Sequence, residues 1–401
     1  MANVSVLNTT AQLSGKTIAV CENDQTVSGA WTFSGNQTFN GNVTIGNAVG
    51  DTLTVNSTIT SNLIFTDATY DIGASGATRP RDLFLSRNAT IGGTLAVTGA
   101  TTVTGDFTAN GNVTLGNATT DVLNGFLITH PPGGRLTLTT AVPVTTSNVT
   151  GATTIYYTPY VGSLISLYDG TDWVMYVFAE LSLALGTLTA TLPYDVFIYD
   201  NSGTLTLELT AWTNGTTRAT ALVRQNGILC KTGALTRRYL GTIYTTSTTA
   251  TEDSETKRFV WNYYNQRPRP LKRFESTDTW TYDTDTMRQA GGSASNQVEM
   301  VIGVNEVPAR ATLTAGARHS SSGSVSVGIG LDSTTASSGT TPRLLLSTAA
   351  GYLTAQYAGF PGIGYHYLAW LERGGGATTT FIGDESGADY NQSGLLGTIR
   401  G

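Results

Sequence analysis

The chain has 401 residues, a formal net charge of −6 and a sequence pI near 5.1, with 12% charged residues where average globular proteins carry roughly a quarter. An acidic balance leaves no basic face for phosphate backbones, which argues against a general nucleic-acid binder. Length allows two or three domains, and heavy use of Gly (46 residues) and Thr points to all-β structure with many tight turns rather than one compact globule.

The N-terminus, Met1-Ala2-Asn3-Val4-Ser5, lacks a basic stretch followed by an apolar core, and no apolar run reaches membrane-spanning length, so no secretory route and no membrane insertion are expected. Sequons such as Asn88-Ala89-Thr90 then read as corner formers rather than glycan acceptors. Cys21 and Cys230 lie far apart and offer neither a disulfide framework nor metal-ligand spacing, so buried or inert thiols are expected.

Residues 1–28 carry short strand-like pieces and are expected to be an N-terminal attachment segment. A repeat of six follows. Val27, Phe33, Phe39 and Ile45 are trailed two positions later by Gly29, Gly35, Gly41 and Asn47; Ile91, Val97, Val103, Ala109 and Leu115 are trailed by Gly93, Gly99, Gly105, Gly111 and Asn117. Each hexad reads as a short extended run of Thr and β-branched residues, then a Gly or Asn able to take positive φ at a corner. The block is duplicated: Asn42-Val43-Thr44-Ile45-Gly46-Asn47-Ala48 returns as Asn112-Val113-Thr114-Leu115-Gly116-Asn117-Ala118, an offset of 70, and both copies run on into Asp-x-Leu at Asp51 and Asp121.

A three-sided coil consumes about three hexads and a solenoid needs about three stacked repeats, so one chain cannot close a stable β-helix here. Three parallel chains, each supplying one side of every layer, would bury the apolar positions on a shared axis and close the sheet edges. The expectation is a homotrimeric shaft over residues 29–126, β-helical or intertwined; the alternative is a monomeric β-sandwich with evenly spaced turns.

Between the blocks lie Tyr70-Asp71-Ile72-Gly73, small residues, and Arg79-Pro80-Arg81-Asp82-Leu83-Phe84-Leu85, followed by Thr90-Ile91-Gly92-Gly93-Thr94-Leu95. This pattern resembles the stems of bacteriophage fibre and tail-fibre-like virion proteins, over roughly residues 27 to 125. The resemblance implies an elongated homotrimeric β-rich fibre on the surface of a phage particle, tail or head attached and made in the bacterial host cytoplasm. Its implied partners are other virion proteins through the N-terminus and a host cell-surface glycan or protein. Head attachment or capsid decoration is the rival within that class, and a glycan-degrading tail spike the rival outside it.

His130-Pro131-Pro132-Gly133-Gly134 marks a redirection and a boundary. Residues 127–266 read as an antiparallel β domain. Ser163–Tyr168 and Trp173–Phe178 flank Asp169-Gly170-Thr171-Asp172, Val196–Tyr199 and Thr204–Leu209 flank Asp200-Asn201-Ser202-Gly203, and further turns fall at Asn214-Gly215 and Asn226-Gly227. Arg267-Pro268-Arg269-Pro270-Leu271-Lys272-Arg273 reads as a stiff basic linker. Residues 267–401 then read as a sandwich-like tip domain with strands over 297–304, 311–317, 324–331, 342–346, 351–357, 365–371 and 378–382.

No catalytic motif, metal spacing or cofactor fingerprint stands out, and His130, His319 and His366 sit beside no candidate nucleophile. No enzyme activity and no cofactor are expected. Asp278, Asp283 and Asp285, and Glu252, Asp253 and Glu255, are the acids to weigh for glycan cleavage or, at Asp283–Asp285, a cation; their Thr- and Ser-rich surroundings favour solvated turn residues. Trp280 with Tyr282, and Tyr365, His366, Tyr367 and Trp370, are the candidate glycan-binding cluster, with packing in a core or trimer interface as the competing expectation. Alternation puts Tyr365 and Tyr367 on one strand face and His366 on the other.

Overall fold

The computed structural model describes residues 32, 34–46, 48, 51–60, 62, 83, 85–86, 88–105, 108, 110, 131–376, 378–387 and 390–401. Backbone contacts divide the chain into Met1–Phe107 and Thr108–Gly401. The N-terminal attachment segment, the Tyr70–Gly73 motif, Val27, Phe33, Ala109, Leu115, Cys21 and His130 lie outside the described residues.

In the first unit the described residues form no helix or strand, with backbone bends at 92–93, 98–99 and 104–105, the hexad spacing. Every described side chain from 32 to 105 is exposed. The glycines are not the left-handed corners expected. Among the described hexad glycines, Gly35, Gly41, Gly93, Gly99 and Gly105 all have φ outside the positive region, and a Cβ on any of them would meet nothing within 4 Å. Positive φ falls instead on Gly46 (83°), just before a small turn in which Ala48 N–H donates to Asp51 Oδ2 at 2.9 Å.

The second unit is all-β among its described residues, apart from one 3₁₀ turn at Ala290–Gly292. Four sheets and a hairpin stack around two cores. Gly134–Thr137, Thr154–Pro159 and Leu181–Ala184 make a three-stranded sheet, and Leu164–Tyr168 with Trp173–Val177 make the hairpin. They bury Ile155, Ile165 and Leu167 against Val196, Ile198 and Ile243 of a six-stranded sheet built on Pro193–Asn201 and Ala234–Tyr244. The other face of that sheet, with Phe197 and Tyr239, joins the second core.

This second core lies inside a sandwich. An eight-stranded sheet contributes Val298, Met300, Val325, Val327, Ile329, Leu368 and Trp370; a six-stranded sheet centred on Ala309–His319 contributes Leu313, Ala315, Leu353, Ala355, Phe381 and Leu395. Alternation explains the selection: along Ala309–His319 the odd-numbered residues point inward, while Arg310 stands exposed and Thr312 and Thr314 half-exposed.

Two expectations need correction. Residues 267–273 are not a linker: Pro268–Phe274 is a strand paired along its whole length with Gly394–Arg400. It is an edge strand whose even positions turn their N–H away from that partner, as Lys272 N–H does toward Glu255 O, so Pro268 and Pro270 lose no pairing bond. Nor does a boundary at 266 separate two bodies, since the eight-stranded sheet takes Val149–Ala152, Thr251–Asp253 and Lys257–Arg258 from one side of it and Gln297–Ile302, Gly323–Leu331, Arg343–Leu346 and Gly364–Arg373 from the other. Pairing throughout is antiparallel except Lys257–Arg258 beside Gln297–Ile302.

Candidate functional site

The aromatic candidates fall on strands Thr279–Thr281 and Gly364–Arg373 and are mostly used by the fold. Register sets Trp370 opposite Ile329, inside the sandwich, where it is 0% exposed and edge-on to Trp280 at 6.0 Å. It offers no face to a sugar. Trp280 is half-buried, stacked on Phe381, and donates its indole N–H to Glu372 Oε2 at 2.6 Å. Tyr282 lies under the Arg288 guanidinium at 3.8 Å and bonds to Thr286.

On the opposite face of the strand, Tyr365 stacks on Tyr244 at 4.5 Å and donates to Glu299 Oε2. Burial, with Glu299 beside it, raises the Tyr365 hydroxyl well above its ordinary pKa. Tyr367 is half-buried on that same face, and its backbone N–H donates to Asp332 Oδ1. His366 points inward, buried, with Nδ1 2.7 Å from Asp332 Oδ2. The four residues of Gly364–Arg373 divide between two faces of the eight-stranded sheet, Trp280 lies on a strand of the six-stranded sheet and Tyr282 just beyond it, so the six form no shared platform.

The two acidic clusters differ: Glu252, Asp253 and Glu255 are tied into the structure, whereas Asp278, Asp283 and Asp285 are the exposed loop residues expected. Asp253 is buried between Arg258 (3.1 Å) and Arg269 (2.5 Å), while Glu252 pairs with Lys257 and Glu255 with Lys272. Asp278 and Asp283 are exposed, and Asp285 pairs with Arg373. Among the described residues no group of three or more His, Cys, Asp or Glu is placed to hold a metal ion. Cys230 is buried, which pushes its thiol up to about 11.

Three buried carboxylates, Asp195, Glu275 and Glu372, were not singled out from the sequence, and Glu372 lies nearest the aromatic candidates. Glu372 is fully enclosed and accepts from Trp280, from Arg288 Nε at 2.8 Å and from Gly291 N–H at 3.1 Å. Alternation puts it on the same strand face as Trp370, so its burial follows once register shows that Trp370 points inward.

Two surfaces remain open. In the first unit the hexad apolar residues are solvent-facing: Phe39 67%, Ile45 63%, Ile91 49%, Val97 52% and Val103 54%. On the outer face of the six-stranded sandwich sheet, Arg310, Thr312, Gln356 and Thr398 floor a groove of about 820 Å³ walled by Ser338–Thr340. Arg310 and Thr398 face each other across one strand pair and Thr312 and Gln356 across the next. Hydroxyls, an amide and one guanidinium stand here beside exposed Leu396 and Ala358, so the groove offers hydrogen bonds and apolar contact together.

No protein-family model matches the chain, and no curated protein does. Among solved structures it is similar to three Bacillus thuringiensis proteins. They are the insecticidal δ-endotoxin Cry8Ea1 (7% identity, 67% of this chain and 52% of that one, TM-score 0.20), the mosquito-larvicidal Cry4Aa toxin (8%, 63% and 51%, 0.18) and a Cry1Da tryptic core variant (7%, 62% and 48%, 0.17). The chain spans about half the length of these proteins, and likeness at that level carries no argument about activity. No helix among the described residues is long and apolar enough to cross a membrane.

Proposed function

We propose that this chain is a structural fibre protein of a phage virion, a homotrimer through its hexads, that contacts the host surface with its layered β unit. The observation that carries the reading is the row of exposed apolar residues at six-residue spacing, with no strand partner among the described residues of their own chain. Fully burying one such side chain is worth about 1.5–3 kcal/mol, so a repeated row left in water is a large unspent driving force. Other copies of the same chain supply the matching row without further machinery.

The glycines point the same way. Glycine inside an extended run costs roughly 0.5–1 kcal/mol relative to alanine, yet neither positive φ nor a close neighbour within the chain calls for it at Gly93, Gly99 or Gly105. Close approach by a neighbouring copy does. The virion assignment rests on the stem resemblance, and the host-contact assignment on the mixed polar and apolar groove around Arg310 together with threefold presentation, which multiplies a weak single-site affinity. The ion-paired state of Asp253, Glu255 and Asp285 favours binding over cleavage.

Sedimentation of the full chain tests assembly: a trimer is expected, Val97→Asp with Val103→Asp is expected to dissociate it, and a wild-type monomer at micromolar concentration would sink the proposal. Fluorescently labelled trimer should stain host cells, lose staining with Arg310→Ala and Gln356→Ala while staying trimeric, and leave host polysaccharide at its original size. Staining of stripped capsids in place of cells would favour the decoration role instead.

A further inference from the structure

At one end of the eight-stranded sheet, on its face away from the sandwich core, two guanidiniums flank a pair of serines. Ser326 on Gly323–Leu331 stands opposite Arg343 on one neighbouring strand and opposite Arg373 on the other. Directly opposed residues in antiparallel strands share a face, and Ser324, two residues earlier, shares it too. The opposite face of the same strand is Val325, Val327 and Ile329, all fully buried, so the strand cannot rotate these groups away. With Gly375 and Asp285 they line a recess of about 280 Å³, near the small end of the roughly 300–1,000 Å³ usual for ligand clefts.

The charge in this recess is incompletely matched. Asp285 Oδ1 accepts from Arg373 at 2.7 Å (Nε) and 2.6 Å (Nη2). Arg343 donates to the Ser324 hydroxyl at 2.6 Å and has no carboxylate partner among the described residues. The recess thus holds two guanidiniums and one carboxylate, which pairs with Arg373 alone and is the more exposed partner of that pair. A guanidinium presents a planar fork of donors that fits a carboxylate or phosphate, and such charge-assisted bonds are the strong ones.

We propose that this recess is an oxyanion site, taking a carboxylate or phosphate group through Arg343, the Ser324 and Ser326 hydroxyls and Arg373, with Asp285 as the resident competitor that the ligand displaces. The ligand class is an acidic or phosphorylated surface saccharide; this deepens the host-contact reading and rests on it only for the source of the anion.

Isothermal titration of the full-length protein at low salt, with glucuronate, inorganic phosphate and uncharged glucose as probes, tests it. Saturable binding of at least one anion is expected, in the roughly millimolar range of a small ligand on an open site, and none of glucose. Arg343→Gln, an exposed change that leaves the core intact, should weaken that binding at least tenfold, and Asp285→Asn should strengthen it severalfold by removing the competitor. The preferred anion identifies the source as carboxylate or phosphate. Failure of both anions to bind, wild-type affinity in Arg343→Gln, or no gain in Asp285→Asn would overturn the assignment. Anion binding without cell staining defeats the host-contact reading and leaves the site standing; cell staining without anion binding does the reverse.

Discussion

Glu275 and Glu372 are both buried carboxylates of the sandwich, and they titrate in opposite directions. For Glu372 burial dominates, and the donors Trp280, Arg288 and Gly291 do not offset it, so its pKa is raised. For Glu275 burial also pushes upward, but donation from Asn296 at 2.7 Å and from the Thr277 N–H and hydroxyl prevails, and the pKa falls below the ordinary carboxylate value. A depressed folded pKa stabilises the fold above the unfolded value of about 4.3 and loses that contribution as pH falls through the folded value. Glu372 has the reverse sign: its folded state holds the proton more tightly, so it favours folding as pH falls and opposes it as pH rises through its raised value. Urea unfolding of Glu275→Gln should therefore show a destabilisation at pH 7 that shrinks at pH 3. A difference independent of pH would mean that the hydrogen bonds of Glu275 do not discriminate its charged form.

The strand Pro268–Phe274 shows which elements the sequence disclosed and which it hid. Hairpins were legible because their turns are chemically marked: Ser202 and Gly203 take φ of 53° and 91° and join the strands expected on either side, while Asn226 and Gly227, expected only as a turn, take 51° and 86° and join Leu222–Gln225 to Ile228–Lys231. Seven strands of the tip region were legible from alternation, and all are present within a few residues. Pro268–Phe274 was hidden because two prolines and four basic residues between 267 and 273 resemble a linker unless the edge position and the partners of the charges are known. Those partners come from distant sequence, as Arg269 meets Asp253 and Thr145. The pairing predicts unequal costs. Arg269→Ala leaves a buried carboxylate short of a partner and should cost about 3 kcal/mol. Lys272→Ala breaks the more exposed pair with Glu255 and a 5.5 Å contact with the exposed Phe274 ring, and should cost about 1 kcal/mol or less. Chemical denaturation of the two variants checks the ranking, and equal costs would show that Asp253 is satisfied without Arg269.

For the whole molecule, the period of six was plain in the sequence, whereas the partner for the apolar row is not visible in a single chain. The same holds for the candidate site: aromatic composition suggested a sugar platform, but only register decides that Trp370 points inward, and only tertiary pairing places Arg343 and Arg373 on either side of Ser326. Gly99→Ala and Gly105→Ala meet no atom within 4 Å of their own chain, so they should leave the layered unit's melting unchanged while weakening the proposed trimer. A trimer of undiminished stability would show that no neighbouring copy crosses there.

The eight-stranded sheet also sets the order in which this protein can fold. Its strands come from residues 149 to 373, and Val149–Ala152 finds its partner about a hundred positions along the chain, at Thr251–Asp253. Distant pairing demands loop closure before any contact rewards it, which makes such sheets slow to form. Until Gly364–Arg373 inserts between Gln297–Ile302 and Gly323–Leu331, those two strands stand as open edges beside unburied Val298, Met300 and Val327. Refolding should accordingly take seconds or longer and lose yield to aggregation as protein concentration rises. Unfolding of residues 131–401 should be one calorimetric transition, because the eight-stranded sheet and the second core draw strands and side chains from both halves, so opening one half strips the other of its partners. Two resolved transitions would show that the halves remain separable despite the common sheet.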